Sequence, residues 1–310
     1  VDVLADIFET IQLRGTFYFR TDFSPPWGTT VPHLGRVARF HHVVQGRFWI
    51  RVGDAGPIEL SAGDFVLVPN GARHVLSHAP TVEAPPLETV LAAAGYKGDG
   101  MLAVGSGDPA AATRLICGHL TFGEDADHAV LRALPPLIRI NDTERARRPW
   151  FDQVLRLLVS HVFSGHPGSI AVVTRLSEIL FIEAIRFAGD EAPDLRRLML
   201  AFADARIGRA VALIHQEPGR PWTVDSLARE VGMSRTRFAE QFREMIGTSP
   251  VTYVTEWRLQ RAIAALSTDR RRPIGEIARE CGYSSPAAFT RAFNERFGRT
   301  PKAFRRNGDG

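Results

Sequence analysis

The last third of the chain states one pattern twice. Leu227–Ser234 (LAREVGMS) recurs as Ile277–Ser284 (IARECGYS). The echo continues after each glycine, first with Phe238, Phe242, Gly247, Pro250 and Tyr253, then with Phe289, Phe293, Gly298, Pro301 and Phe304. The spacings agree except for one extra residue between Gly282 and Phe289. A repeat at a period of roughly 50 residues is a duplicated supersecondary unit, and few folds accommodate it.

Each copy predicts helix, turn, helix. Val224, Leu227, Ala228 and Val231 fall on one face of a first helix. Gly232 stands where a left-handed residue would end it, and Ser234 is placed to cap a second helix carrying Phe238, Phe242 and Met245 as a stripe. In the second copy Ile274, Ile277, Ala278 and Cys281 form the first stripe, and Phe289, Phe293 and Phe297 the second. Cys281 replaces Val231 and reads as a small core residue. Thr252 to Leu266 lacks Pro and Gly and predicts one connecting helix of about 15 residues, ~22 Å long. The units are therefore two helix-turn-helix motifs, at 224–247 and 274–298. Held by one helix, their second helices suit successive major grooves, which recur about every 34 Å.

A helical bundle with no nucleic-acid role would share this pattern, but charge argues for the DNA reading. Residues 207–306 hold 18 Lys plus Arg against 10 Asp plus Glu, while the whole chain carries only +4. The basic segment therefore sits beside an acidic remainder, the asymmetry expected of a polyanion-binding module. Nearly all the cations are Arg, whose forked guanidinium suits phosphate and guanine.

Residues 207–306 resemble the DNA-binding domain of the AraC/XylS family of bacterial transcription regulators. The resemblance rests on Gly282–Tyr283–Ser284–Ser285, Phe289, Arg291–Ala292–Phe293, Phe297–Gly298, Pro301 and Phe304. It implies that the second helix of each unit enters the major groove. Carried over by position, the first helix presents Arg235, Thr236, Ala239, Glu240 and Arg243, and the second Ser285, Pro286, Ala287, Arg291 and Asn294. Arg291 suits a bidentate contact to guanine, and Thr236 a thymine methyl or base edge. Glu240 either accepts from cytosine or orients Arg237 or Arg243. Arg235, Arg237, Arg258 and Arg299 are the expected phosphate contacts. Pro286 and Ala287 leave the second unit less able to read bases.

Residues 1–140 have a different texture. Short alternating runs (Thr16–Tyr18–Arg20, Val37–Arg39, Val43–Trp49–Arg51, Ile58–Leu60, Phe65–Val68, Arg114–Leu120) are punctuated by Gly and Pro, and predict an antiparallel sandwich or barrel. Gly63 to His74 reads Gly-x5-Pro-x-Gly-x2-His, which resembles the second motif of the cupin jelly roll. The first motif is degraded, with His41–His42 but no His-x-His and no Glu. The domain resembles the cupin-like sensor domain found ahead of the DNA-binding domain in many AraC-type regulators. That implies a small-molecule or metal effector. His41, His74, His78 and Cys117 are the candidate ligands of a metal, Zn²⁺ being the best match to imidazole and thiolate donors. The alternatives are polar core residues bonded to backbone, or a redox-sensing Cys117. His119 shares a face with Cys117, and His33, His42 and His128 read as surface or structural.

Leu134–Pro135–Pro136 is expected to end the barrel. Trp150–Ser164 and Ser169–Phe187 then predict a helical hairpin, broken at Gly165–Gly168 and suited either to pairing two subunits or to packing on the barrel. The predicted plan is α+β and multidomain. It comprises a cupin-like jelly roll (1–140), a hairpin and linker (141–194, with Gly189–Asp194 as a polar loop) and an all-α DNA-binding domain (195–310). No apolar run is long enough to span a membrane. Residue 1 is not Met, and no charged-then-apolar leader is visible. Two cysteines in different domains fit a reducing cytoplasm. The expected function is promoter binding controlled by the front domain, with double-stranded DNA and RNA polymerase as partners and a homodimer as the assembly. An architectural DNA binder without effector, or a cupin enzyme fused to a DNA reader, are the competing readings.

Overall fold

The computed structural model describes residues 2–35, 37–82, 84–98, 100–123 and 125–307, the side chains of residues 16–19 and 307 excepted. Two compact units emerge. One gathers Arg14–Thr121 and Leu134–Ala188, the other Val1–Leu13, Phe122–Ala133 and Gly189–Gly310. Each unit is therefore built from separated stretches of chain.

In chain order the elements begin with α1 (Val3–Thr10), then β1 (Arg14–Phe23), β2 (Gly28–Val31), β3 (Val37–Gln45), β4 (Arg47–Val52), β5 (Ile58–Ser61), β6 (Phe65–Val68) and β7 (His74–Ser77). There follow α2 (Leu87–Ala93), β8 (Met101–Val104), β9 (Thr113–Thr121), α3 (Ala129–Arg132), β10 (Ile138–Ile140), α4 (Asp142–Ala146), α5 (Pro149–Ser164) and α6 (Ser169–Glu191). Helices α7 (Pro193–Ala203), α8 (Ile207–Gln216), α9 (Val224–Glu230), α10 (Arg235–Ile246), α11 (Pro250–Thr268), α12 (Ile274–Glu280), α13 (Pro286–Phe297) and α14 (Pro301–Asn307) complete the chain.

The first unit is a two-sheet sandwich. One sheet runs β10-β6-β3-β9-β1-β8 and the other β2-β7-β4-β5. All pairs are antiparallel except β1 with β8, so the larger sheet is mixed rather than purely antiparallel. The predicted end of the barrel at Pro135–Pro136 is corrected, because β10 follows it and pairs with β6 (Ile138 opposite Leu67). Alternation divides the larger sheet cleanly. Val43, Val66, Leu115 and Cys117 face the inner core with Phe48, Ile50 and Leu76 of the other sheet. Phe40 and Phe65 face outward, and Phe65 meets Phe151 of α5 edge to face at 5.5 Å. Glu178 of α6 accepts from Gly15 N at 3.1 Å. The hairpin thus packs on the outer face of the sheet. Gly71 is dictated by close approach: at φ +59°, a Cβ there would fall 1.9 Å from the Leu34 carbonyl oxygen.

In the second unit α11 is the spine. It spans Pro250–Thr268, longer than predicted because Ser249 caps it with Pro at the first turn. The expected polar loop 189–194 is not a loop either, since α6 runs to Glu191 and α7 begins at Pro193.

Candidate nucleic-acid interface and barrel cavity

Both copies of the repeat fold as helix, turn, helix. Gly232 and Gly282 take φ +64° and +78°. Ser234 accepts from Arg237 N and Ser285 from Ala288 N, so both second helices, α10 and α13, start on a side-chain cap. Phe238, Phe242 and Ile246 are buried under α10, and Phe289 and Phe293 under α13. The opposite faces carry the polar set. Arg235, Thr236, Arg237, Glu240, Arg243, Pro286, Ala287, Arg291 and Asn294 are exposed, with Ala239 and Ser285 half-buried. Among the described residues Arg237, Arg243 and Arg291 make no side-chain ion pair, and Glu240 pairs with neither Arg237 nor Arg243. Arg235 makes only a loose, exposed pair with Asp225 at 3.5 Å.

Two expected phosphate contacts are corrected. Arg258 donates from Nε to Pro218 O (2.7 Å) and from an Nη to Arg220 O (2.7 Å). Its guanidinium ties α11 to the loop before α9 and lies beside Gly282. A Cβ at Gly282 would sit 2.6 Å from that guanidinium, a constraint absent at Gly232. Arg299 is paired with Asp125 and lies 4.7 Å from the Phe304 ring centroid. Both charges are committed within the unit. Arg258→Ala should therefore cost about 2–4 kcal/mol of stability, from two lost charge-assisted hydrogen bonds. Chemical denaturation would show it, and the salt dependence of DNA binding should keep its slope. A slope reduced by about one at unchanged stability would restore the phosphate role.

In the sandwich, three of the four proposed metal ligands meet, but in a line. Cys117 Sγ lies 3.1 Å from His41 Nδ1, and His41 Nε2 lies 3.0 Å from His74 Nε2. His74 Nδ1 is 2.8 Å from the Ala72 carbonyl oxygen. The carbonyl can only accept, so the proton positions follow in turn. His74 carries its proton on Nδ1 and accepts at Nε2, His41 donates from Nε2 and accepts at Nδ1, and the Cys117 thiol donates. Every member is neutral. Burial dominates the energetics. It drives His41 well below the usual imidazole value, helped by His74 and Arg39, and takes His74 down to about 4. It also pushes the Cys117 thiol up, away from thiolate.

This arrangement overturns the metal expectation. The His41 ring separates Cys117 from His74, so the donors do not converge on one point. Among the described residues no group of three His, Cys, Asp or Glu has metal-holding geometry. His78 is elsewhere, its Nδ1 2.8 Å from Trp27 O. A thiol held protonated also lacks the nucleophilic form that redox sensing requires.

What sequence reading missed is Arg39. It is opposite His119 in the β3–β9 ladder, as His41 is opposite Cys117. Alternation from His41 carried the signal, since residues two apart on a strand share a face. Arg39 is 8% exposed, and its Nε has no hydrogen-bond partner. Burial lowers its pKa and Glu88 raises it. Arg39, His41, Cys117 and His119 line a cavity of about 280 Å³ together with apolar side chains of both sheets and of α2. A larger groove of about 520 Å³ beside Trp27 and Val90 is open and has no charged side chain among the described residues of its lining.

Comparison with known proteins agrees with both halves. Residues 2–188 match the family model described as Cupin, and residues 227–307 match one described as Helix-turn-helix domain. The chain belongs to the AraC-type transcription regulators, with a cupin as its front domain. It is 28% identical to the HTH-type transcriptional regulator AlkR of Acinetobacter baylyi, over 98% of this chain and 99% of that protein. It is 29% identical to a putative AraC-like transcription regulator of Streptomyces antibioticus, over 99% of each. A solved structure of the DNA-binding domain of AdpA in complex with a target DNA is 27% identical, covering 34% of this chain and 100% of that one, with a TM-score of 0.32. The helix-turn-helix match, residues 227–307, falls within the second unit. No helix among the described residues is long and apolar enough to cross a membrane.

Proposed function

We propose that this regulator reads a promoter through α10 and α13 and that a small molecule held in its front barrel sets the promoter affinity. The observation that carries the reading is the pair of capped helices whose outward faces hold exposed Arg235, Arg237, Arg243 and Arg291 over phenylalanine-packed inner faces. Arg243, Thr236, Glu240 and Arg291 are assigned to bases, and Arg235 and Arg237 to phosphates. With Pro286 and Ala287 at its start, α13 contributes fewer polar reading groups than α10. RNA polymerase is the partner at the promoter, the compartment is the cytoplasm, and the barrel performs no turnover. A homodimer is supported by apolar side chains left exposed on the hairpin, among them Leu157, Phe163 and Ile170.

The test is direct. An operator selected from the genome's own intergenic fragments should bind with an affinity that falls steeply with salt. Arg291→Ala should cost about 1–3 kcal/mol at one base position and leave the other positions unchanged. A uniform loss across all sequences would reassign Arg291 to phosphate, and indifference to both salt and sequence would end the reading.

A further inference from the structure

Two buried polar atoms of the described cavity lining have no hydrogen-bond partner, Arg39 Nε and Thr29 Oγ1, and only the first belongs to a charged group. Arg39 is more than nine-tenths buried, lines the cavity and has an Nε without a partner. A buried guanidinium with an unmet donor is costly unless an anion meets it. It is the only Lys or Arg among the described residues lining the space. The two imidazoles of the lining, His41 and His119, are held neutral by burial and by the charge of Arg39, so they add no positive charge at neutral pH. The acid facing Arg39 is Glu88 of α2, exposed at the rim.

The remaining walls are mostly apolar, with Phe23, Val31 and Leu76 from the strands and Leu91 from α2, beside the hydroxyls of Thr21, Thr29 and Tyr96. The volume of about 280 Å³ is worth roughly nine waters, below most drug-sized sites. We infer that the cavity binds a small organic carboxylate, its head forked onto Arg39 and its compact apolar body lying between the two sheets. One cation with a carboxylate at the rim fits a monoanion better than a dianionic phosphate. The Nε edge of a guanidinium offers two parallel N–H groups that match a carboxylate's two oxygens. The body is limited by volume to something far shorter than a membrane lipid chain. This inference rests on the proposed reading of the barrel as the ligand-receiving half of the regulator.

Four probes with one body and different heads test it: octanoate, octanol, octylamine and octyl phosphate, titrated calorimetrically into the full-length protein at pH 7.5. Octanoate should bind roughly ten- to hundredfold more tightly than octanol, the difference a charged hydrogen bond supplies. Octylamine should not bind, and octyl phosphate should bind more weakly than octanoate. Arg39→Met should erase the preference of acid over alcohol. Should that variant fail to fold, Glu88→Gln serves instead: the side chain is exposed, and removing its competing charge should tighten octanoate severalfold. Equal affinity for octanoate and octanol, absence of binding by all four, or a Glu88→Gln that weakens octanoate would each overturn the inference. Promoter affinity measured with and without octanoate is a separate arm. Binding without any change in promoter affinity would leave the ligand class standing and defeat the regulatory reading.

Discussion

Phe293→Ala should destabilise the second unit by about 3–5 kcal/mol, the usual cost of deleting a fully buried aromatic side chain. Phe293 is fully buried, with ring centroids 4.7 to 5.8 Å from Phe297, Phe289 and Phe304. Around them lie Leu259, Ile263 and Leu266 of α11, Ile277 of α12 and Cys281 just past its end. One substitution therefore removes the side chain on which three helices converge, where aromatic pairs add to the area term. Against a typical total of 5–15 kcal/mol, such a loss is a large fraction. Urea denaturation should show an earlier midpoint, and DNA binding should lose the contribution of α13 first, because α10 stands on a separate set (Phe238, Phe242, Tyr253). Phe293→Leu, which keeps most of the volume, should cost much less. A Phe293→Ala protein with an unshifted midpoint would mean that the cluster does not hold α13 in place.

The repeat was legible because its determinants are local. A left-handed glycine, a serine cap and apolar residues three and four apart specify a turn and two helices without reference to the rest of the chain. What each arginine does was not legible. Arg258 and Arg291 look alike as letters, yet Arg258 reaches backward to carbonyls about forty positions away in sequence, and only the fold reveals which guanidiniums are already used. Gly232 and Gly282 make the same point, being equivalent in backbone conformation but not in surroundings. The mixed make-up of the second unit was invisible for a similar reason. Asp6, near the N-terminus, lies 2.8 Å from His215 Nδ1, and Gln260 exchanges hydrogen bonds with the backbone at Asp125 and Asp127. Such pairings join segments whose sequence separation carries no periodic signal.

In the barrel, alternation gave the strands and the cupin spacing gave His41 and His74. Ligand chemistry was then assigned from residue type alone. Residue type does not fix direction: a histidine between a thiol and another histidine is a hydrogen-bonded link, whereas the same three around a point would be a metal site. In sequence Arg39 is only the last residue of the short run Val37–Arg39, and nothing in that run assigns it a face. Its burial depends on α2, which follows it by some fifty residues and supplies Leu87, Glu88 and Leu91 to the cavity lining.

The buried histidines also make stability depend steeply on pH. His42 and His74 are each lowered to about 4, mainly by burial. For His42 the Asp64 carbonyl, Asp152 and Asp64 oppose the shift while Arg145 adds to it, and for His74 the Ala72 carbonyl opposes it and Arg39 adds to it. The unfolded chain binds these protons near pH 6.5 and the folded chain only near 4. Between those values the unfolded state holds more protons, so stability rises with pH and is lost on acidification. Each histidine contributes about 1.4 kcal/mol per pH unit across that window, or about 2–3 kcal/mol by pH 4.5. The two together remove roughly 5 kcal/mol from the barrel, with further loss from His41, which burial also keeps neutral. Denaturant titrations at pH 7, 6 and 5 should show the fall, and His74→Gln separates its causes. Glutamine offers a carbonyl oxygen in place of the imidazole acceptor but binds no proton. It should reduce the slope between pH 6 and 5 by about one proton, so that the stability gap between parent and variant narrows by about 1.4 kcal/mol per pH unit as pH falls. An unchanged slope would mean that His74 is not buried in its neutral form, and the proton order deduced for Cys117, His41 and His74 would then fail with it.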